Sequence, residues 1–215
     1  YLPIYWMATE DHDFDEINYF NFNGQKVQWN KKASGAVGAL GTEGLDSVMD
    51  TLAAQIGNTD NAERLKSLFK NAYIEHSNLS DATRYLANEL FGKYGLVIID
   101  GDDAELKQLL VPFAKIDNFE NKHFHKVSEA IDALSAVSSD YTIQVNPREV
   151  NYFYLLDGVR ERIVKKDGNF YVNNTEIEFS QSELIEEIEK HPERFSPNVI
   201  ARPLYQEIIL PNLCY

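Results

Sequence analysis

The sequence contains a single cysteine, Cys214, so no disulfide can form within the chain. That usage suits a reducing compartment, and a cytoplasmic protein is the expectation. No run approaches the roughly 20 consecutive apolar residues of a membrane-spanning helix, and no secretory leader pattern is present. Basic residues are also in short supply: 20 Lys and Arg stand against 34 Asp and Glu, a formal charge of −14. A surface so acidic disfavours non-specific nucleic-acid binding and docking on anionic membranes, while leaving room for a local cationic pocket. Common catalytic signatures are missing too. There is no Walker A loop, no G-x-S-x-G elbow and no Cys–His nucleophile pair.

What is present is material for a core. Apolar residues make up 44% of 215 and aromatic ones 12%, enough for one large domain or two small ones. The chain opens at Tyr1 in an apolar run and stops at Leu213-Cys214-Tyr215 after another, so it reads as an internal piece of a longer protein. Cys214 itself reads as a buried packing residue.

The pattern along the chain is α/β. Residues 2–8 read as a buried strand, followed at once by a polar loop, the arrangement by which open α/β sheets build sites at strand carboxyl ends. Asn23-Gly24 between two alternating runs predicts a hairpin. The Gly-rich stretch at residues 35–44 reads as a flexible connector rather than a phosphate loop. Residues 45–91 carry helical periodicity in three segments, the third capped by Ser80 or Asp81. A second buried strand is expected at residues 96–99, then a helix stopping near Pro112, a helix over residues 121–134, and a third strand at residues 141–145. Asp157-Gly158 and Asp167-Gly168 separate three short strands of a meander. Ser180 with Glu183 forms a capping box, and Pro203 and Pro211 bracket a last helix.

Three constellations carry possible chemistry. Glu10-Asp11-His12-Asp13-Phe14-Asp15-Glu16 packs five carboxylates and a histidine into seven residues. Such a loop can hold an ammonium group or a cation, or run acid–base chemistry through His12; it can equally be a solvated loop that caps the next helix. As an EF-hand it fails, with Glu16 where glycine belongs and Phe22 where the last glutamate belongs, and no matching Cys or His pair supports zinc, so no metal is assigned. Asn146-Pro147-Arg148-Glu149 offers an arginine for a carboxylate or phosphate, or for a salt bridge to nearby acids. The segment from His191 through Ser196, Asn198 and Arg202 to Gln206 gathers polar groups near a helix start, which favours anions. Asp100-Gly101-Asp102-Asp103 reads as turn and cap as readily as site. His123 and His125 read as an exposed polar helix, the Glu183–Glu189 acids as a solvated face, and His76 has no evident partner.

The runs Tyr5-Trp6-Met7-Ala8-Thr9-Glu10-Asp11-His12-Asp13-Phe14, Asn146-Pro147-Arg148-Glu149, and His191-Pro192-Glu193-Arg194-Phe195-Ser196-Pro197-Asn198-Val199 continuing to Arg202-Pro203-Leu204-Tyr205-Gln206-Glu207 resemble, in matching order, the cysteine-adding enzymes of bacillithiol biosynthesis (cysteine ligase family). The resemblance implies a Rossmann-like core, similar to nucleotidyl transferases and class I synthetases, with two inserted α+β connecting segments. On this reading residues 1–19 and 94–150 are core, 20–93 the first insertion, 151–194 part of the second, and 195–215 the return to the core. A coiled coil and homodimerisation are implied for the full-length protein, and the piece alone is expected to be inactive. The implied reaction joins L-cysteine to glucosaminyl malate through an amide bond, with ATP or another nucleotide expected as activator. From their chemistry, Asp11, His12 and Asp13 are candidates to hold or deprotonate the attacking ammonium. Glu10, Asn146, Arg148, Ser196, Asn198, Arg202 and Gln206 are candidates for substrate or nucleotide binding. The alternative is a non-catalytic module that binds a nucleotide or a sugar acid.

Overall fold

A computed structural model describes residues 2–210 and divides the chain after Gly101 into two compact units. Cys214, expected in a packed position, lies outside the described residues.

The first unit is built on two parallel strands, β1 (Ile4–Met7) and β4 (Val97–Asp100), in the register Ile4↔Val97 to Met7↔Asp100. Both were expected to be buried. Met7 is, at 1% exposed, but Ile4, Tyr5 and Val97 are each more than a third exposed, because within the described residues this sheet has only the two strands. Between them the chain makes a long excursion. The short helix α1 (Phe14–Ile17) leads to the hairpin β2 (Tyr19–Phe22) and β3 (Gln25–Gln28). Asn23 and Gly24 take φ of 48° and 75°, the two left-handed positions that a type I′ turn demands. Three helices follow: α2 (Leu45–Ile56), α3 (Asp60–Tyr73) and α4 (Leu79–Phe91). Thr59 caps α3. Asn78, rather than Ser80 or Asp81, caps α4 through the amide of Asp81. Ser80 is thereby released for another task. Phe14, Val27, Trp29, Leu45 and Val48 form the core of this unit, with Phe14 edge-on to Trp29 at 5.2 Å.

The Gly-rich stretch is not a loose connector. It holds a single 3-10 turn at Val37–Ala39, pairs through Gly41 with Asn78, and buries Gly38.

In the second unit α5 (Ala104–Glu120) begins at Asp103, whose side chain accepts from the amides of Glu105 and Leu106. The helix does not stop at Pro112 but runs on for two more turns. The missing Pro112 amide is offset by packing of Leu110 and Ala114, both 2% exposed. α6 (Lys122–Val137) follows. His123 is not part of an exposed face: its Nδ1 lies 2.8 Å from Asp117 Oδ2 and its amide donates to Asp117 Oδ1 at 2.9 Å.

The expected strand at residues 141–145 does not form. Tyr141 is 56% and Val145 38% exposed, and no strand among the described residues pairs with them. Alternation alone cannot make a strand when no neighbour takes up its backbone groups.

The meander is present as β5 (Tyr152–Leu156), β6 (Val159–Lys166) and β7 (Asn169–Val172), extended by β8 (Glu178–Phe179) and β9 (Phe195–Pro197) into a sheet of order β8-β7-β6-β5-β9. All its pairs are antiparallel. One face carries Tyr154, Phe170, Phe179 and Phe195. Phe119 of α5 meets Phe170 edge-on at 5.6 Å, and Tyr154 meets both Phe179 and Phe195 at 5.5 Å. α7 (Gln181–Lys190) starts with the expected capping box and buries Leu184 and Ile188. α8 (Arg202–Ile209) carries Pro203 in its first turn. No helix among the described residues is long and apolar enough to cross a membrane.

Candidate functional site

In the first unit the chemistry gathers where the two parallel strands end. Met7 faces Asp100 in register, and the Gly101 amide donates to the Met7 carbonyl at 3.2 Å. Asp100, 8% exposed, joins three elements. Its Oδ1 accepts from Thr9 Oγ1, its Oδ2 accepts from Ser80 Oγ, and Arg84 stands 3.7 Å from Oδ2 while donating to the Ile98 carbonyl. A carboxylate with this many donors is fixed in direction. It ties the loop after β1 to the start of α4.

The same loop is clamped from the other side. The Gly38 amide donates to the Thr9 carbonyl at 2.8 Å and the Val37 amide to the Asp11 carbonyl at 2.6 Å. A Cβ at position 38 would overlap the Thr9 side chain, so glycine is what lets the two backbones meet.

The loop so held presents Glu10, Asp11, His12 and Asp13. Glu10 is buried at 3% exposure, while the next three reach solvent. His12 Nδ1 lies 3.3 Å from Asp11 Oδ1, and Nε2 lies 3.8 Å from Asp13 Oδ1. One potential ligand atom from each of Asp11, His12 and Asp13 falls within 4.8 Å of the others. Asp13 occupies the position before α1 yet makes no side-chain capping bond, so capping does not account for it. An imidazole between two carboxylates can carry a proton and orient an ammonium group. Beside Ala8 and Thr9 opens a cavity of about 360 Å³, walled by Tyr5, Trp29, Phe69 and Tyr73 with Asn18 and Thr83 as polar points.

His76 proves to have partners. Its Nδ1 lies 2.8 Å from the Asn71 carbonyl and 3.0 Å from that of Ala72, closing the end of α3.

The second unit holds the other candidates. Residues 146–149 run in irregular backbone, and Arg148 is exposed. Ser196 sits in the middle of β9 opposite Phe153 and is fully buried. Asn198 follows β9, and its Oδ1 accepts from the amides of Ile200 and Ala201 at 2.9 and 3.1 Å, shaping the turn into α8. Arg202 opens α8 and Gln206 stands one turn on, so both share a helix face. The structure joins the Arg148 and Asn198 segments through Asn151, a residue that the sequence analysis does not single out. Among the described residues, Asn146 makes no hydrogen bond to that junction. Among the described residues, no carboxylate lies within ion-pair distance of the Arg148 or Arg202 guanidinium, so the salt-bridge reading of Arg148 is not realised there.

Two further ionic features frame this region. Lys107, 1% exposed, donates to Asp102 Oδ1 at 2.6 Å and to the Glu193 carbonyl at 3.0 Å, fixing the turn that precedes β9. Glu187 is not merely part of a solvated face: Oε1 accepts from Tyr154 Oη at 2.6 Å and from Arg194 at 2.7 Å. Partial burial opposes its ionisation, but these donors outweigh that and hold the carboxyl below its ordinary value. Burial first, and the bond to Glu187 second, push the Tyr154 hydroxyl up to about 12. Complete burial first, and then the charge of Asp117, hold the Tyr152 hydroxyl well above its ordinary value.

An α/β protein with an acidic, histidine-bearing loop at the end of a parallel strand is thus the class that fold and site define. The model of the family described as "Bacillithiol biosynthesis BshC, N-terminal Rossmann-like domain" matches residues 1–215, and the chain belongs to that family. It is 55% identical over 215 residues to a Flavobacterium johnsoniae protein and 40% identical over 215 residues to one from Cytophaga hutchinsonii. A Christiangramia forsetii protein is 52% identical over 219 residues. All three bear the name "Putative cysteine ligase BshC". In each case all of this chain is covered, but only 39–40% of the relative, so the chain spans about two-fifths of their length.

Proposed function

We propose that the protein carrying this chain is a ligase that joins L-cysteine to glucosaminyl malate through an amide bond, in the last step of bacillithiol synthesis. The observation that carries the reading is His12 between Asp11 and Asp13 at the carboxyl end of β1. A protonated sugar amine is no nucleophile. Asp11 and Asp13 attract it as an ammonium ion, and His12 takes its proton. The cysteine carboxylate does not acylate an amine without activation, and ATP or another nucleotide supplies that activation. Arg148 and Arg202, free of acid partners among the described residues, fit an anion: the malate carboxylates or a phosphate. The further candidates for binding are Glu10 in the first unit and Asn146, Ser196, Asn198 and Gln206 in the second. The same reading makes residues 20–93 and 151–194 the insertions of the core. It places the enzyme in the cytoplasm as a homodimer, with dimerisation through a coiled coil in the rest of the protein's length.

The test uses the full-length protein with glucosaminyl malate, L-cysteine and ATP. Wild type should form bacillithiol. His12→Ala should lower kcat by about 10²-fold or more with an unchanged melting temperature. Arg148→Ala should chiefly raise KM for glucosaminyl malate. A folded wild type that binds ligand but yields no product with any nucleotide would establish the non-catalytic binding module instead.

A further inference from the structure

We infer that Asn151 is a positioning residue that sets the spacing of Arg148 and Arg202 for a substrate carrying two carboxylates, an inference that rests on the anion-binding role proposed above for those arginines. Asn151 is wholly buried, and every polar atom of its side chain is engaged. Its Nδ2 donates to the Arg148 carbonyl at 2.8 Å, and its Oδ1 accepts from the Arg148 amide at 3.2 Å. The two bonds grip both ends of Arg148 and so fix the direction in which its side chain leaves the backbone. The same Oδ1 accepts from Asn198 Nδ2 at 3.2 Å, and the Asn151 carbonyl accepts from the Asn198 amide at 2.9 Å. Asn198 in turn receives the Arg202 amide on its own carbonyl at 2.8 Å. One asparagine pair therefore links the backbones of two arginines that are 54 positions apart in sequence.

The chemistry of the link matters. Two guanidiniums whose backbones share one frame, and which have no carboxylate partner among the described residues, remain available to an anion. Glucosaminyl malate brings two carboxylates on one short carbon chain, and two arginines at a set spacing can each take one bidentately. The linking residue must donate to one carbonyl and accept from two donors, which an amide does and a carboxylate does not. An aspartate there would lose the bond to the Arg148 carbonyl and would set a competing anion beside the site. Its chain neighbours Val150 and Tyr152 are buried as well, at 5% and 1% exposed.

The experiment compares Asn151→Ala and Asn151→Asp with Arg148→Ala and Arg202→Ala in the full-length enzyme, reading KM for each substrate, kcat and thermal melts. The expected result is a KM for glucosaminyl malate raised about tenfold or more in both Asn151 variants. KM for L-cysteine and kcat should stay within about twofold. A residue that only held the fold would lower kcat through loss of active enzyme and leave KM alone, and that outcome overturns the inference. So does failure of both Asn151 variants to fold, which makes the residue structural. If the arginine variants raise KM and the Asn151 variants do not, the positioning role fails and the arginine reading stands. If the arginine variants leave KM unchanged, the anion reading fails and takes this inference with it.

Discussion

The Gly38 amide donates to the Thr9 carbonyl at 2.8 Å, and the Cα of Gly38 lies so close to Thr9 that no side chain fits between them. This contact holds the start of the acidic loop against the 3-10 turn of the Gly-rich stretch. Gly38→Ala should therefore push the loop off its support. We expect a loss of about 1–3 kcal/mol in urea denaturation, together with reduced turnover in the reaction proposed above. Gly24→Ala serves as a comparison: no atom crowds its Cβ, so only the cost of its positive φ should appear. Equal stability of Gly38→Ala and wild type would contradict the packing described.

Asp100 should behave as a shared acceptor. Asp100→Ala strands the hydroxyls of Thr9 and Ser80 and leaves Arg84 without its carboxylate. The expected cost is about 2–4 kcal/mol. Thr9→Val removes only one of these bonds and should cost about 1 kcal/mol. Denaturation midpoints of the two variants and their double mutant measure this directly. Additive losses would show that the two groups do not interact.

Tyr154 gives a signature in alkali. Its hydroxyl is raised from 10.0 to about 12 in the folded protein. Between those values the unfolded chain releases a proton that the folded protein keeps. This contribution to stability is full below pH 10 and is lost as pH rises through about 12. Tyr154→Phe should flatten that part of the stability profile. Glu187 works at the other end. Its carboxyl is lowered, so its contribution is present above the ordinary value of 4.5 and lost as pH falls through the lower folded value. Glu187→Gln should remove that acid dependence. Melting temperature against pH for the three proteins reads both slopes.

Local chemistry is legible in the sequence. The Asn23-Gly24 turn, the Ser180–Glu183 box and the meander turns depend on residues within a few positions of each other, and all formed as expected. The α/β class and the strand-end position of the acidic loop were legible for the same reason. What could not be read was decided by distant partners. Tyr141-Thr142-Ile143-Gln144-Val145 alternates like a strand, but pairing is settled elsewhere in the chain. Pro112 looks like a stop until the packing around Leu110 and Ala114 is known. Gly38 reads as one glycine among several, since its need for close approach comes from Thr9. Asn151 was invisible as a junction because its partner Asn198 is 47 positions away. A lone asparagine before an aromatic run carries no sign of that.

The pairing of β1 with β4 has a consequence for the order of folding. Ile4 meets Val97 only after 93 residues of chain have been brought back to their starting point. Closing so long a loop is entropically costly, whereas the hairpin and the contacts among α2, α3 and α4 join near neighbours. The excursion should therefore organise first and deliver β4 to β1 as a late step. Shortening Ile98, or its register partner Tyr5, should then speed unfolding while hardly slowing refolding. Shortening Val48 in the core of the excursion should slow refolding itself, and stopped-flow rates for the two sets would separate an early element from a late one.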